Sequence, residues 1–210
     1  CMMQSLRVLG FRSSGSLTTR RLITASSVQS DAFGLWSSRL AQLRRPAAEA
    51  LVGLVLPNLK EDDLLGYKGK SKGPSPLVGE VIEWKKKSHA TAVLLVRVGD
   101  FYESWGVDAI MLVEHCGLNA MGGSARAGCP KGNLQQTLDC LTAAGLDVAV
   151  YEELEDAGAK GSRKTRYLGG VVIPGAPTYV HRRSLERSDI EFLNVDGPPF
   201  AAVLVVGSRV

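Results

Sequence analysis

The run Val93-Leu94-Leu95-Val96-Arg97-Val98 constrains this chain more than any other stretch. Successive side chains of a strand point to opposite faces of a sheet, so a strand that is apolar at consecutive positions must be covered on both sides. Helices have to supply that cover, and helical patterns lie on both sides of the run. Upstream, Val78 to Trp84 reads as a short helix ending in Lys85-Lys86-Lys87. Downstream, Gly99-Asp100 ends the strand, and Ala109, Ile110, Leu112, Val113 and Cys116 give a helix with a wide apolar face that Gly117 stops. Gly122 to Gly128 reads as a loop. Asn133 is placed to cap a further helix, whose Leu134, Leu138 and Leu141 recur at helical spacing before Gly145. Asp147 to Tyr151 is a second strand. A charged excursion from Glu152 to Arg166 leads to a third, Tyr167 to Ile173, ended by Pro174-Gly175. The expected fold class is α/β: a small mixed sheet flanked by helices over 78–184, preceded by a disordered leader and a helical segment.

The leader is residues 1–30. It holds Arg7, Arg12, Arg20 and Arg21, seven serines, three threonines, and no lysine or acidic residue. An Arg-rich, Ser-rich, acid-free opening is the pattern of an organellar transit peptide. The first residue is Cys1 rather than Met, so the start is read as missing, or as Met2 or Met3. Over 31–77, Leu35, Trp36, Leu40, Leu43, Ala47, Leu51 and Leu54 recur at intervals of three and four, which predicts an amphipathic helix pair broken at Pro46. The Gly-, Pro-, Ser- and Lys-rich stretch 57–79 then reads as a linker. Residues 185–210 are read as a linker followed by an apolar strand, Phe200 to Val206, that ends before it can pair.

Charge and cysteine content narrow the classes. The net charge of +4 divides into 14 basic and 7 acidic residues over 1–89, 9 and 10 over 90–184, and 2 and 4 over 185–210. The most foldable region is therefore slightly acidic, and bulk charge gives no ground for a nucleic-acid claim. No apolar run approaches the roughly 18 residues of a membrane span. Cys1, Cys116, Cys129 and Cys140 contain no CxxC pair, and a zinc site from His115, Cys116, Cys129 and Cys140 would match no familiar ligand spacing. Gly69-Lys70-Ser71 resembles part of a phosphate loop, but only two residues separate Gly66 from Gly69 where four are needed.

Chemistry points to Gly99-Asp100-Phe101-Tyr102-Glu103, where the buried strand ends and a helix is expected to begin. Strand ends are where α/β folds present side chains to ligands. Taken alone, Phe101 and Tyr102 read as core or lid aromatics and Glu103 as an acid suited to a helix's first turn. The wider pattern changes that reading. Val93 to Glu103 (VLLVRVGDFYE), the helix to Gly117, the turn Ala127-Gly128-Cys129-Pro130, Asn133 to Leu141 (NLQQTLDCL), and Val148 to Pro177 (VAVYEELED, then KTRYLGGVVIPGAP) together resemble the mismatch-recognition domain at the amino end of MutS proteins. The AGCP turn and the NLxQTLDxLT helix are similar to the organellar branch of plants and algae, where bacterial members carry an AGIPYHA-like segment.

The resemblance implies roles. Phe101 and Glu103 match the family's Phe-x-Glu pair, in which the ring enters the minor groove and stacks on a mispaired base while the carboxylate hydrogen-bonds that base. Tyr102, between them, is expected to point into the core. Arg97, Arg126, Lys131, Arg163, Lys164 and Arg166 are the basic residues available to hold phosphates, with Lys85 to Lys87 nearby in sequence. The acidic run Glu152, Glu153, Glu155 and Asp156 is read as a solvated edge rather than a metal site. The implied partner is double-stranded DNA with mismatches or small loops, with no membrane contact. Dimerisation is expected only of a full-length protein, and the location is organellar, mitochondrion or chloroplast. Family members continue to an ATPase that binds ATP and Mg, and the organellar plant type adds a nuclease-like domain. None of those motifs occurs in these 210 residues, so no cofactor and no enzymatic activity is expected of them. The rival readings are a small enzyme using Asp100, Glu103 and His115 in acid–base work, or an inert interaction module.

Overall fold

A computed structural model of the chain describes residues 25–69, 74–154 and 164–180. Most of the leader, Lys70 and Ser71, Glu155, Asp156 and Arg163, and the apolar segment Phe200 to Val206 lie outside the described residues. The five described helices of two or more turns are α1 (Ala25–Leu40), α2 (Pro46–Val55), α3 (Pro76–Lys87), α4 (Gly106–Cys116) and α5 (Leu134–Ala143). The strands are β1 (Val93–Val98), β2 (Phe101–Trp105), β3 (Arg126–Pro130), β4 (Val148–Glu153) and β5 (Arg166–Val172), in the spatial order β3-β2-β1-β4-β5. The sheet is mixed: β4 runs parallel to β1, and the other neighbours are antiparallel.

The expected α/β class holds, with two strands more than the sequence reading gave. Phe101 to Trp105 does not open a helix. Val98 pairs with Phe101 across a two-residue turn whose first member, Gly99, has φ of 63°. A glycine with positive φ in that position is what a tight hairpin needs. The second addition is β3, part of which had been read as a turn. It pairs with β2 from Phe101↔Pro130 to Trp105↔Arg126.

The central strand β1 is covered on both sides, as its sequence demands. Val93 and Leu95 join a core with α1, α2, α4 and α5, while Leu94 and Val96 face α3 together with Trp105 and Tyr151. Ser75 caps α3 by accepting the Val78 N–H, and Pro76 follows at the first helical position. The Asn133 side chain makes no cap; a 3-10 turn, Lys131–Asn133, leads into α5 instead. The helix pair before the domain is present, and Trp36, Leu40 and Leu51 are buried as expected. Elsewhere in α2 the buried positions are Ala48 and Val55 rather than Ala47 and Leu54. The stretch read as a linker also packs: Leu59, Leu64 and Leu65 are in the core, and the Leu65 carbonyl accepts the Val107 N–H. Gly106 is required there, since a Cβ would collide with that carbonyl. No described helix is long and apolar enough to cross a membrane.

Candidate nucleic-acid interface

Alternation along β2 sorts the aromatic-acidic segment between the two faces of the sheet. Tyr102 points to the face covered by α4 and α5, is buried, and donates its O–H to Glu152 Oε1 at 2.7 Å. Burial and that carboxylate raise its pKa strongly. Phe101 and Glu103 share the opposite face. Phe101 stands beside the hairpin turn with 44% of its surface exposed, whereas Glu103, one pair further in, is 5% exposed.

A partner on the neighbouring strand accounts for the burial of Glu103. Arg126 Nε and Nη2 reach its two carboxylate oxygens at 2.8 and 2.6 Å, a bidentate arrangement that raises the arginine's pKa. Gly128 lies directly across from Glu103. A Cβ there would sit 2.5 Å from the Tyr102 carbonyl oxygen and 3.2 Å from Glu103 Cγ, so the fit of the carboxylate depends on a missing side chain. Sequence reasoning placed Arg126 among the phosphate candidates and missed this pairing. The Gly-Asp dipeptide between two apolar runs, a hairpin signature, is the signal that would have put both residues on adjacent strands.

The basic candidates fall into two groups. Lys131 and Lys164 bracket the turn and are substantially exposed. Lys131 Nζ lies 2.9 Å from Asp100 Oδ1 on the β3 side, and Lys164 Nζ lies 2.8 Å from Glu153 Oε2 on the β4 side. Glu153 also accepts the Gly99 N–H at 3.2 Å, which ties the turn to β4. Arg97 and Arg166 are mostly buried and paired with Glu152 at 3.5 Å and with Glu153 at 2.6 Å. Arg166 Nε donates to the Arg97 carbonyl as well. Arg163 lies outside the described residues. Lys85 is sealed in the interior, its Nζ 2.5 Å from Asp108 Oδ1 and 4.0 Å from the Trp36 ring centroid. Lys87 pairs with Glu83 on the surface of α3.

The rival acid–base set is not assembled. Asp100 is an exposed turn residue held by Lys131, Glu103 is enclosed and held by Arg126, and His115 sits at the far end of α4. Among the described residues no group of three or more His, Cys, Asp or Glu is arranged to hold a metal ion. Glu152 and Glu153, half of the run read as a solvated edge, are instead buried acceptors for Tyr102 and Tyr179, and for Arg166 and Lys164.

The candidate interface is thus a Phe-x-Glu pair on one face of a hairpin, with the AGCP strand beside it and the NLQQTLDCL helix on the opposite face of the sheet. Residues 75–181 match the model for MutS domain I, and the chain belongs to that family. Among curated relatives it is similar to the DNA mismatch repair protein MSH1, mitochondrial, of Arabidopsis thaliana, at 37% identity over 166 residues, 75% of this chain and 14% of that protein. It is also similar to the DNA mismatch repair proteins MutS of Porphyromonas gingivalis and Flavobacterium johnsoniae. These are 36% identical over 111 and 118 residues, which is 50% and 53% of this chain. The chain spans only 12 to 14% of the length of these relatives.

Proposed function

We propose that the chain recognises mispaired bases in double-stranded DNA and serves DNA mismatch repair as the recognition part of a larger ATP-dependent protein. The observation that carries this reading is the Phe101 ring, exposed at a hairpin tip on the same strand face as Glu103 and flanked by Lys131 and Lys164. An apolar ring wedged between base steps costs a few kcal/mol of unstacking, and the cost is least where pairing is already defective. A mispair is thereby read as local deformability, with little dependence on the surrounding sequence. The two lysines neutralise phosphates beside the ring, and Arg163, next to Lys164 in sequence, is a further candidate for a phosphate. Arg97 and Arg166, being tied to Glu152 and Glu153, support the hairpin rather than touch DNA.

Glu103 supplies discrimination more than affinity. A carboxylate is repelled by a polyanion unless it meets a hydrogen-bond donor or takes up a proton, so it disfavours intact duplex and accepts a base whose edge is free. Recognition rather than catalysis fits the site, since each carboxylate in it already has its own cation. The acid-free leader and the mitochondrial relative support an organellar location, which a reporter fused to residues 1–30 tests by microscopy.

The direct test is Phe101→Ala in this 210-residue chain. Removing a stacked aromatic costs about 1–3 kcal/mol, so affinity for a duplex with one mispair falls roughly 5- to 150-fold while affinity for the fully paired duplex stays constant. Fluorescence anisotropy with both duplexes reads the difference. An unchanged preference in the variant ends the recognition reading.

A further inference from the structure

Resting on that reading, we infer that Arg126 is an exchangeable latch: it holds Glu103 in the free protein and moves to a DNA phosphate on binding, so that the base-reading carboxylate is released only in the complex. Both carboxylate oxygens of Glu103 are occupied, by Arg126 Nε at 2.8 Å and Nη2 at 2.6 Å. Each oxygen keeps a second lone pair, but Glu103 is covered and Arg126 is its solvent-facing partner, so a base edge gains the carboxylate where the guanidinium gives way.

The arginine is the member of the pair that can leave. Its side chain is 39% exposed against 7% for that of Glu103. It projects from β3, the strand at the sheet's edge, on the face that carries Phe101. An approaching duplex therefore meets the cation first, with the carboxylate covered behind it. A phosphate oxygen is the anion DNA presents in quantity, and a guanidinium grips phosphate and carboxylate with the same planar fork. The exchange swaps one bidentate anion for another, so its net cost is small and a mispaired base that donates to Glu103 can tip it. On paired duplex, with no base edge free, Glu103 keeps the arginine.

The arrangement makes Arg126 a positioning residue for discrimination, and the salt dependence of binding separates exchange from a static clamp. Each phosphate contact contributes about 0.9 to the slope of log K against log salt. Arg126→Gln is expected to lower that slope by about one for the mispaired duplex and leave it unchanged for the paired one, with the ratio of the two affinities reduced. Because the single change strands a covered carboxylate, the double variant Glu103→Gln with Arg126→Gln is measured beside Glu103→Gln alone. With Glu103→Gln the guanidinium is already free, so paired duplex binds more tightly than to the parent, and adding Arg126→Gln removes that gain. Equal slopes on mispaired duplex with and without Arg126 overturn the latch, as does a Glu103→Gln variant whose paired-duplex affinity matches the parent's. If Phe101→Ala leaves the mispair preference intact, recognition itself has failed; if it abolishes the preference while the slopes stay equal, only the latch has.

Discussion

Two ion pairs flank the same sheet and differ above all in access to water. Lys85 and Asp108 meet at 2.5 Å with side chains 0% and 1% exposed, and every polar contact is closed. The Lys85 ammonium also donates to the Ala92 carbonyl, Asp108 Oδ2 accepts the Leu94 N–H, and the Trp36 ring covers the cation. Burial lowers the Lys85 pKa and raises that of Asp108, against the attraction between them. Glu103 and Arg126 meet at similar distances, but one partner opens to solvent. A sealed pair can only hold α1, α3, α4 and β1 together, whereas an open one can change partners. Distances are nearly equal in the two although one cation is an ammonium and the other a forked guanidinium, so it is position in the fold that leaves only the second able to exchange.

Isosteric neutralisation breaks the comparison most strongly at the sealed site. Asp108→Asn leaves an ammonium buried without its counter-charge, and loss of about 3–5 kcal/mol is expected, read as a lowered urea midpoint at unchanged slope. A loss below about 1 kcal/mol would mean that water or rearrangement reaches Lys85. Glu103→Gln, the matching change at the open site, is expected to cost about 1 kcal/mol or less, since the amide keeps the volume and the arginine turns to water. Its effect belongs to DNA binding instead. The smallest expected effect concerns pH. Burial raises the Glu153 pKa, but Lys164, the Gly99 N–H and Arg166 together hold it below its ordinary 4.5. A carboxylate with a depressed folded pKa stabilises above its unfolded value, and that contribution disappears as pH falls through the folded one. Stability measured from pH 6 down to pH 3 should therefore fall less steeply in Glu153→Gln than in the parent chain.

Much of this was legible in the sequence because it rests on local patterns. The consecutive apolar residues of β1 demanded two covering layers, Gly117 and Gly145 end helices with positive φ as their positions implied, and Tyr102 is turned inward from its neighbours. What was missed depends on pairing between distant residues. Phe101 to Trp105 has a strand's length but no apolar–polar alternation, so apart from the Gly-Asp turn it is the register to β1 and β3 that fixes it as one. The burial of Leu64 and Leu65 within a polar, Gly-rich stretch is set by the docking of that segment on the start of α4, which no local periodicity records. Arg97 and Arg166 look like surface charges in the sequence because their partners, Glu152 and Glu153, lie 55 and 13 positions away. Charge complementarity across strands appears only once the sheet is assembled.

The mounting of Phe101 has one more consequence. Strand β2 is hydrogen-bonded along both edges, to β1 and to β3, and its turn is fastened to β4 through Glu153. Under the proposed reading, a ring on a platform paired on both sides would give up little backbone freedom on insertion, which lowers the protein's share of the entropic cost. Selectivity would then report on the compliance of the nucleic acid, in the way a fixed stylus registers soft spots in whatever is drawn across it.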